Sequence, residues 1–211
     1  MDSGKRWRGQ TFDDRSALRR AELLAAGQEL LGGGGVNAVT MRAVCRTAGL
    51  SPRYFYESFD SREALLVAVY DRVQDGLMER LLTVGPGADP FATVRTLLEA
   101  CAAYFEEDAG RARILLREPL ADDVLRAHSL RRSTDVIDVV GPVLGDEWGA
   151  AGTDRSVIAT AMSGALVSLY VNWVDGRLDV DRDALADAAA HIVFGLVWAA
   201  GKTGRAGDER A

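Results

Sequence analysis

An all-α fold is predicted for this 211-residue chain by three observations. Apolar residues recur at three- and four-residue spacing along most of the sequence, no long stretch alternates apolar with polar residues, and the interruptions are clusters of Gly, Pro and Asp. With 48% hydrophobic and 27% charged residues the chain can bury an ordinary core, and its length suits one or two domains. The periodicity predicts helices over 14–32, 40–48, 51–58, 61–83, 90–107, 110–118, 121–144, 153–175 and 181–201.

The opening residues 1–12 read as a flexible basic arm, in which Lys5, Arg6 and Arg8 are equally compatible with phosphate or minor-groove contact and with plain solvation. The first helix follows and is expected to end at the run Gly32 to Gly35. That run is no phosphate cradle, because no strand precedes it and no Lys-Ser/Thr follows. Gly201-Lys202-Thr203 resembles the end of a phosphate-binding loop only by chance, since Leu196 stands where its first Gly belongs.

Residues 40–63 carry the most specific pattern. Thr40 is placed to N-cap a helix over Met41 to Ala48, and Gly49 follows where a left-handed C-terminal cap favours glycine. Ser51 and Pro52 open a second short helix, with Phe55 and Phe59 on its buried side and Arg53, Tyr54, Tyr56 and Glu57 on or near its outer face. Ser61 caps the next helix. Two short helices joined by a tight Gly turn form a helix-turn-helix, which lays its second helix in the DNA major groove; helical hairpins without DNA share that spacing. Arg reads guanine or holds phosphate, Tyr hydroxyls anchor phosphate, and the helix starts at Thr40, Ser51 and Ser61 offer backbone N–H groups. The candidate DNA contacts are Thr40, Arg42, Ser51, Arg53, Tyr54, Tyr56, Ser61 and Arg62.

At these residues the sequence resembles the N-terminal domain of the TetR (tetracycline-repressor) family of bacterial transcriptional regulators. Thr40, Ala48-Gly49-Leu50-Ser51, Phe55-Tyr56, Phe59, Ser61-Arg62-Glu63 and Leu65-Leu66 follow the family pattern, and Arg20, Leu23, Ala26 and Leu30-Leu31 are similar to its first helix. The likeness covers about residues 13 to 75. Three positions depart from it. Ser58 stands where the family often has His, Asp60 where it often has Lys, and Arg53-Tyr54 where many members have small residues. Asp60 would repel a phosphate, and the changes together point to an unfamiliar operator. The resemblance implies a helix-turn-helix DNA-binding domain at 13–62, an effector-binding and dimerisation domain at 63–204 and a flexible tail at 205–211. It also implies a repressor acting on double-stranded DNA at a palindromic operator and released by a small molecule. The alternative is a helical ligand-binding or scaffold protein with a degenerate DNA head.

Charge is distributed as that reading requires. The net charge is −6, yet residues 1–62 carry ten basic and seven acidic residues, a net +3, and the remainder carries −9. Cys45 and Cys101 form no disulfide framework, and Cys45 fits a small buried packing position. No apolar run reaching ~18 residues is read and no signal-peptide core opens the chain, so a cytoplasmic protein without membrane span is expected. The two histidines, His128 and His191, are isolated, the first expected at the surface and the second as a structural His. Carboxylate pairs fall at helix ends. No enzyme, cofactor or metal site is expected.

The last two helices carry interface patterns. Leu185, Ala189, Ile192 and Leu196 form one stripe, and Val157, Ala161, Gly164 and Ser168 form a second, of small residues, opposite Ile158, Met162, Leu166, Leu169 and Trp173. Apolar residues on both sides imply burial on both sides, by a second copy or by the rest of one bundle. By resemblance, pairing through these helices makes a homodimer. An effector would sit among the C-terminal helices, with Leu97, Cys101, Tyr104, Leu115, Ile137, Met162, Leu166, Tyr170 and Trp173 as candidate walls. Such a lining is apolar and fits a hydrophobic or aromatic effector, with Tyr and Trp as polar handles.

Overall fold

A computed structural model describes the backbone of residues 4–144 and 155–208, and side chains from Asp14 to Trp198 within those limits apart from Thr134, Ile137, Asp138 and Arg155. Among the described residues every regular element is helical. The α-helices are α1 Gly4–Gly34, α2 Met41–Ala48, α3 Pro52–Ser58, α4 Arg62–Leu82, α5 Pro90–Glu107, α6 Ala109–Ala112, α7 Glu118–Ala121, α8 Asp123–Leu144, α9 Arg155–Val174 and α10 Arg182–Asp208. A 3-10 turn lies at Val36–Ala38 and a π-helical turn at Arg113–Arg117.

Two differences from the sequence expectation have local causes. Residues 4–12, expected as a flexible arm, continue α1 toward the N-terminus, with no proline to interrupt the run. Likewise α10 runs on through the expected tail to Asp208. The side chains of Lys5, Arg6 and Arg8 lie outside the described residues. The helix expected at 110–118 is broken by the π turn. Pro119 cannot donate to Leu115 and its ring crowds that carbonyl, so the backbone widens just before it.

The chain forms two compact units. The first comprises Met1–Gln74 and Arg113–His128, and therefore runs past residue 62 and takes in a later segment. Its core is Leu23, Leu31, Val44, Phe55, Leu65, Leu66 and Val69, with Ile114 and Leu125, all nearly solvent-free. Glu118 is buried there at 5% exposure. Its carboxylate accepts from the Val36 backbone N–H at 2.8 Å and from Arg113 Nε at 2.9 Å. Gly35 lies beside it with φ +72°, and a Cβ at that position would stand 2.8 Å from Glu118 Oε1. His128, expected at the surface, is instead largely covered, with Nε2 2.6 Å from Asp71 Oδ1 and its ring edge-on to Tyr70.

The second unit comprises Asp75–Ala112 and Ser129–Ala211, in which α5 and α10 pack most extensively, with α9 against both. Asp89, Asp122 and Asp181 cap α5, α8 and α10 by accepting from Ala92, Leu125 and Ala184 N–H groups. Arg95 of α5 bonds Asp183 and Asp187 of α10, and Arg182 reaches Glu106. The stripe expected on α10 to pair with a partner is partly corrected. Leu185 and Ala189 are solvent-free inside this unit, whereas Ile192 and Leu196 are half-buried. On α9 the small residues Val157, Ala161, Gly164 and Ser168 are exposed, while Ile158 and Met162 face the interior. Ser156–Val174, 19 residues, is long and apolar enough by length and composition to cross a membrane, which corrects the expectation that no run reaches that length.

Candidate nucleic-acid interface

The helix-turn-helix is built by local chemistry. Thr40 Oγ1 accepts from the Ala43 N–H at 3.1 Å and starts α2. At its end Gly49 adopts φ +66°, and its N–H bonds the Arg46 carbonyl while the Leu50 N–H bonds that of Cys45. That pair of bonds is the Schellman motif, and it turns the chain sharply into α3. Ser51 holds the N-cap position of α3 with no side-chain cap bond; its carbonyl accepts from Tyr54 N–H, and Pro52 supplies a first-turn residue without an N–H. Ser61 Oγ accepts from Ala64 N–H, capping α4. Cys45 is buried between the motif helices, and burial pushes its thiol up.

The recognition helix α3 is amphipathic. Phe55 and Phe59 are buried and stack with centroids 5.9 Å apart, and Tyr56 meets Phe55 edge-on while staying 62% exposed. Arg53, Tyr56 and Glu57, spaced three and four residues apart, share one exposed face. Arg53 Nε donates to Glu57 Oε1 at 2.8 Å, and that bond pushes the guanidinium up from its ordinary value. On α2, Arg42 and Arg46 are both exposed, one turn apart.

Two predicted contacts sit differently from the expectation. Arg62 turns inward: Nε donates to the Val39 carbonyl and Nη2 to that of Val36, each at 2.6 Å, so its guanidinium holds the α1–α2 connection. Tyr54 is half-buried beneath Arg19, whose guanidinium lies 4.3 Å from the ring centroid. Arg20 does the same for Phe59 at 4.2 Å and donates to the Ser58 carbonyl, where α3 ends. Thus α1 clamps the recognition helix near both its ends with consecutive arginines. Sequence reasoning placed Arg20 in the buttress but missed Arg19, for which spacing carries no signal.

The candidate effector residues fall in both units. Leu97, Tyr104, Met162 and Tyr170 are buried in the second, and Cys101, Leu166 and Trp173 are half-buried there. Leu115 is buried in the first unit, and the side chain of Ile137 lies outside the described residues. The expected polar handles are engaged within the protein. Tyr170 OH donates to the Leu98 carbonyl at 2.7 Å, and Trp173 Nε1 donates to that of Val180 at 2.9 Å. Tyr104 lies 4.2 Å from the Arg111 guanidinium. His191, expected as a structural His, is exposed, packing its ring on Phe91. No group of three or more His, Cys, Asp or Glu suited to a metal ion occurs among the described residues.

Residues 23–69 match the family model for bacterial regulatory proteins of the tetR family. The chain is 22% identical over 179 residues to the helix-turn-helix transcriptional activator FasR of Mycolicibacterium smegmatis, covering 84% of this chain and 82% of FasR. It is 26% identical over 181 residues to the helix-turn-helix transcriptional regulator AlkX of Mycobacterium tuberculosis, covering 83% and 84%. The fold is similar to that of the transcriptional regulator FadR of Bacillus subtilis in complex with stearoyl-CoA, with a TM-score of 0.69 at 16% identity over 82% of this chain and 96% of FadR. These relatives are regulators and not enzymes.

Proposed function

We propose, from the match of residues 23–69 to the tetR family of bacterial regulatory proteins, that the chain is a DNA-binding transcriptional regulator that acts as a homodimeric repressor on a palindromic operator and is released by a small apolar effector. One observation carries the DNA reading most directly: α3 buries Phe55 and Phe59 and turns Arg53, Tyr56 and Glu57 outward on a single face. We assign DNA contact within 13–62 to Thr40, Arg42, Ser51, Arg53 and Tyr56, and a fixing role to Tyr54, Ser61 and Arg62. Acting on DNA places the protein in the cytoplasm.

Homodimerisation is supported by α9. Its outer stripe of Val157, Ala161, Gly164 and Ser168 is exposed on a helix segment without a charged residue from Ser156 to Val174. Small residues permit close approach of a second helix. The exposed positions of α10 include one stripe of Ala184, Ala188, His191, Gly195 and Trp198, and these replace Leu185 and Ala189 as the partner stripe. Two heads related by a twofold axis would read half-sites about 34–36 Å apart, or a multiple of that.

We place effector binding and dimerisation in 63–204. The apolar candidate walls, with Tyr170 and Trp173 engaged by backbone carbonyls, favour a ligand recognised by apolar contact. The stearoyl-CoA complex of the B. subtilis relative makes a long-chain acyl thioester the first class to test. Activation is the second reading, supported by the activator role in the name of the M. smegmatis relative.

Selection of the purified protein against random-sequence DNA tests the central reading. A palindromic consensus is expected, with affinity falling roughly 10³-fold or more between 50 and 200 mM salt if about six phosphates are contacted. No sequence preference would leave the scaffold reading in its place. Added acyl-CoA should then weaken binding to that consensus for a repressor and strengthen it for an activator.

A further inference from the structure

We propose that Glu57 determines base specificity by positioning Arg53 to read a guanine in the major groove. The inference rests on the DNA-binding reading above and adds to it which base is read and how.

The two side chains lie one turn apart on α3, with Arg53 83% exposed and Glu57 39% exposed. The carboxylate takes only Nε of the guanidinium, at 2.8 Å. Nη1 and Nη2 have no protein hydrogen-bond partner among the described residues, so the end of the fork remains available. Guanine presents O6 and N7 as adjacent acceptors on the groove edge, and a bidentate Arg is the matching donor. An unrestrained Arg at that exposure samples many rotamers and meets phosphates as readily as bases. Bonding Nε to a residue of the same helix biases those rotamers toward one orientation before DNA arrives.

Charge argues against the alternative that Arg53 is a phosphate clamp. Glu57 brings a full negative charge to the same face, which repels phosphate and cancels the Arg53 contribution to non-specific attraction. A neutral pair is poor glue for any DNA and a good discriminator among sequences. The base of the face is stiff: Phe55 is buried, Tyr54 lies beneath Arg19, and Arg20 holds the carbonyl of Ser58 at the end of α3. The pair is therefore carried on a helix fixed against α1.

The experiment uses the full-length protein and the consensus selected by the wild type, with every single-base-pair variant of one half-site. Affinities are measured for wild type, Arg53→Ala, Glu57→Gln and Glu57→Ala, with helical content and melting midpoint compared. The wild type should prefer G·C at one position by about tenfold or more. Arg53→Ala should abolish that preference. Glu57→Gln and Glu57→Ala should reduce it at least about threefold at the same base pair, while affinity for scrambled DNA stays equal or rises. A general structural defect would lower all affinities together and leave the pattern of preferences in place. Preferences unchanged in Glu57→Ala, or changed at a different base pair from Arg53→Ala, would overturn the inference while the DNA reading stands. Failure of the wild type to select any consensus would instead remove the DNA reading on which it rests.

Discussion

Replacing Gly35 with alanine perturbs a single junction in two separable ways. Gly35 has φ +72° and ψ −175°, a region of backbone space open essentially to glycine alone, so any Cβ there costs about 1–3 kcal/mol. The added methyl would also stand 2.8 Å from Oε1 and 3.0 Å from Oε2 of Glu118. That carboxylate has no room to yield, since its side chain is 7% exposed and is held by Val36 N–H and Arg113 Nε. Displacing it forfeits at least one hydrogen bond to a charged group, about 1.5–3 kcal/mol. The sum is near 4 kcal/mol, or a fall in melting midpoint of about 8–16 °C for a chain of this size. The two parts separate in a double-mutant cycle read by thermal or urea unfolding at fixed protomer concentration. In a Glu118→Ala background the clash is gone, and Gly35→Ala should cost only its backbone share, about 2 kcal/mol. A cost below about 1 kcal/mol in the wild-type background, or an equal cost in both, would refute the reasoning.

Further outcomes follow from other contacts. Arg62→Ala should lower stability by about 2 kcal/mol, because two loop carbonyls lose a charged donor that is itself partly exposed; unfolding shows this without any DNA present. Ala161→Arg should convert the proposed dimer to monomer in sedimentation, since a twofold axis would set two like charges in one seam at a cost of several kcal/mol; helical content should not change. Burial pushes the Cys101 thiol up to about 12, so the folded protein keeps a proton that the unfolded chain releases above about pH 8.5. Stability present below that pH is therefore lost as pH rises toward 12, by up to about 1.4 kcal/mol per unit, and Cys101→Ala removes this share of the alkaline slope.

Much of the helix-turn-helix was legible because its signals act over a few residues. Thr40 reaches Ala43, Gly49 closes on Arg46, and Pro52 shapes only its own turn. The contacts that hold the motif in place act across the chain and leave no periodic trace. Arg62 bonds carbonyls 23 and 26 residues away, and Glu118 bonds an N–H 82 residues away. An Arg after a capping Ser reads equally well as a phosphate ligand and as a loop tie, and only the direction of its side chain separates the two. Glu118 reads as an ordinary helix-start carboxylate beside Pro119. Its burial beside Gly35 leaves no room there for a Cβ.

The C-terminal stripes illustrate a different limit. Period tells which side of a helix avoids water, but it does not tell what covers that side. On α10, Leu185 and Ala189 have the spacing of a dimer seam and are covered by their own protomer. On α9, the large residues Ile158 and Met162 are also covered, while Val157 remains 57% exposed beside Ala161 and Gly164. Subtracting the surface that one protomer buries leaves an uncharged face of small residues on α9 and a row of Ala184, Ala188, His191 and Gly195 on α10. Solvent alone is a poor neighbour for such a face. A second copy supplies the same two small-residue rows in reverse order, which is the self-complementarity that a twofold interface requires.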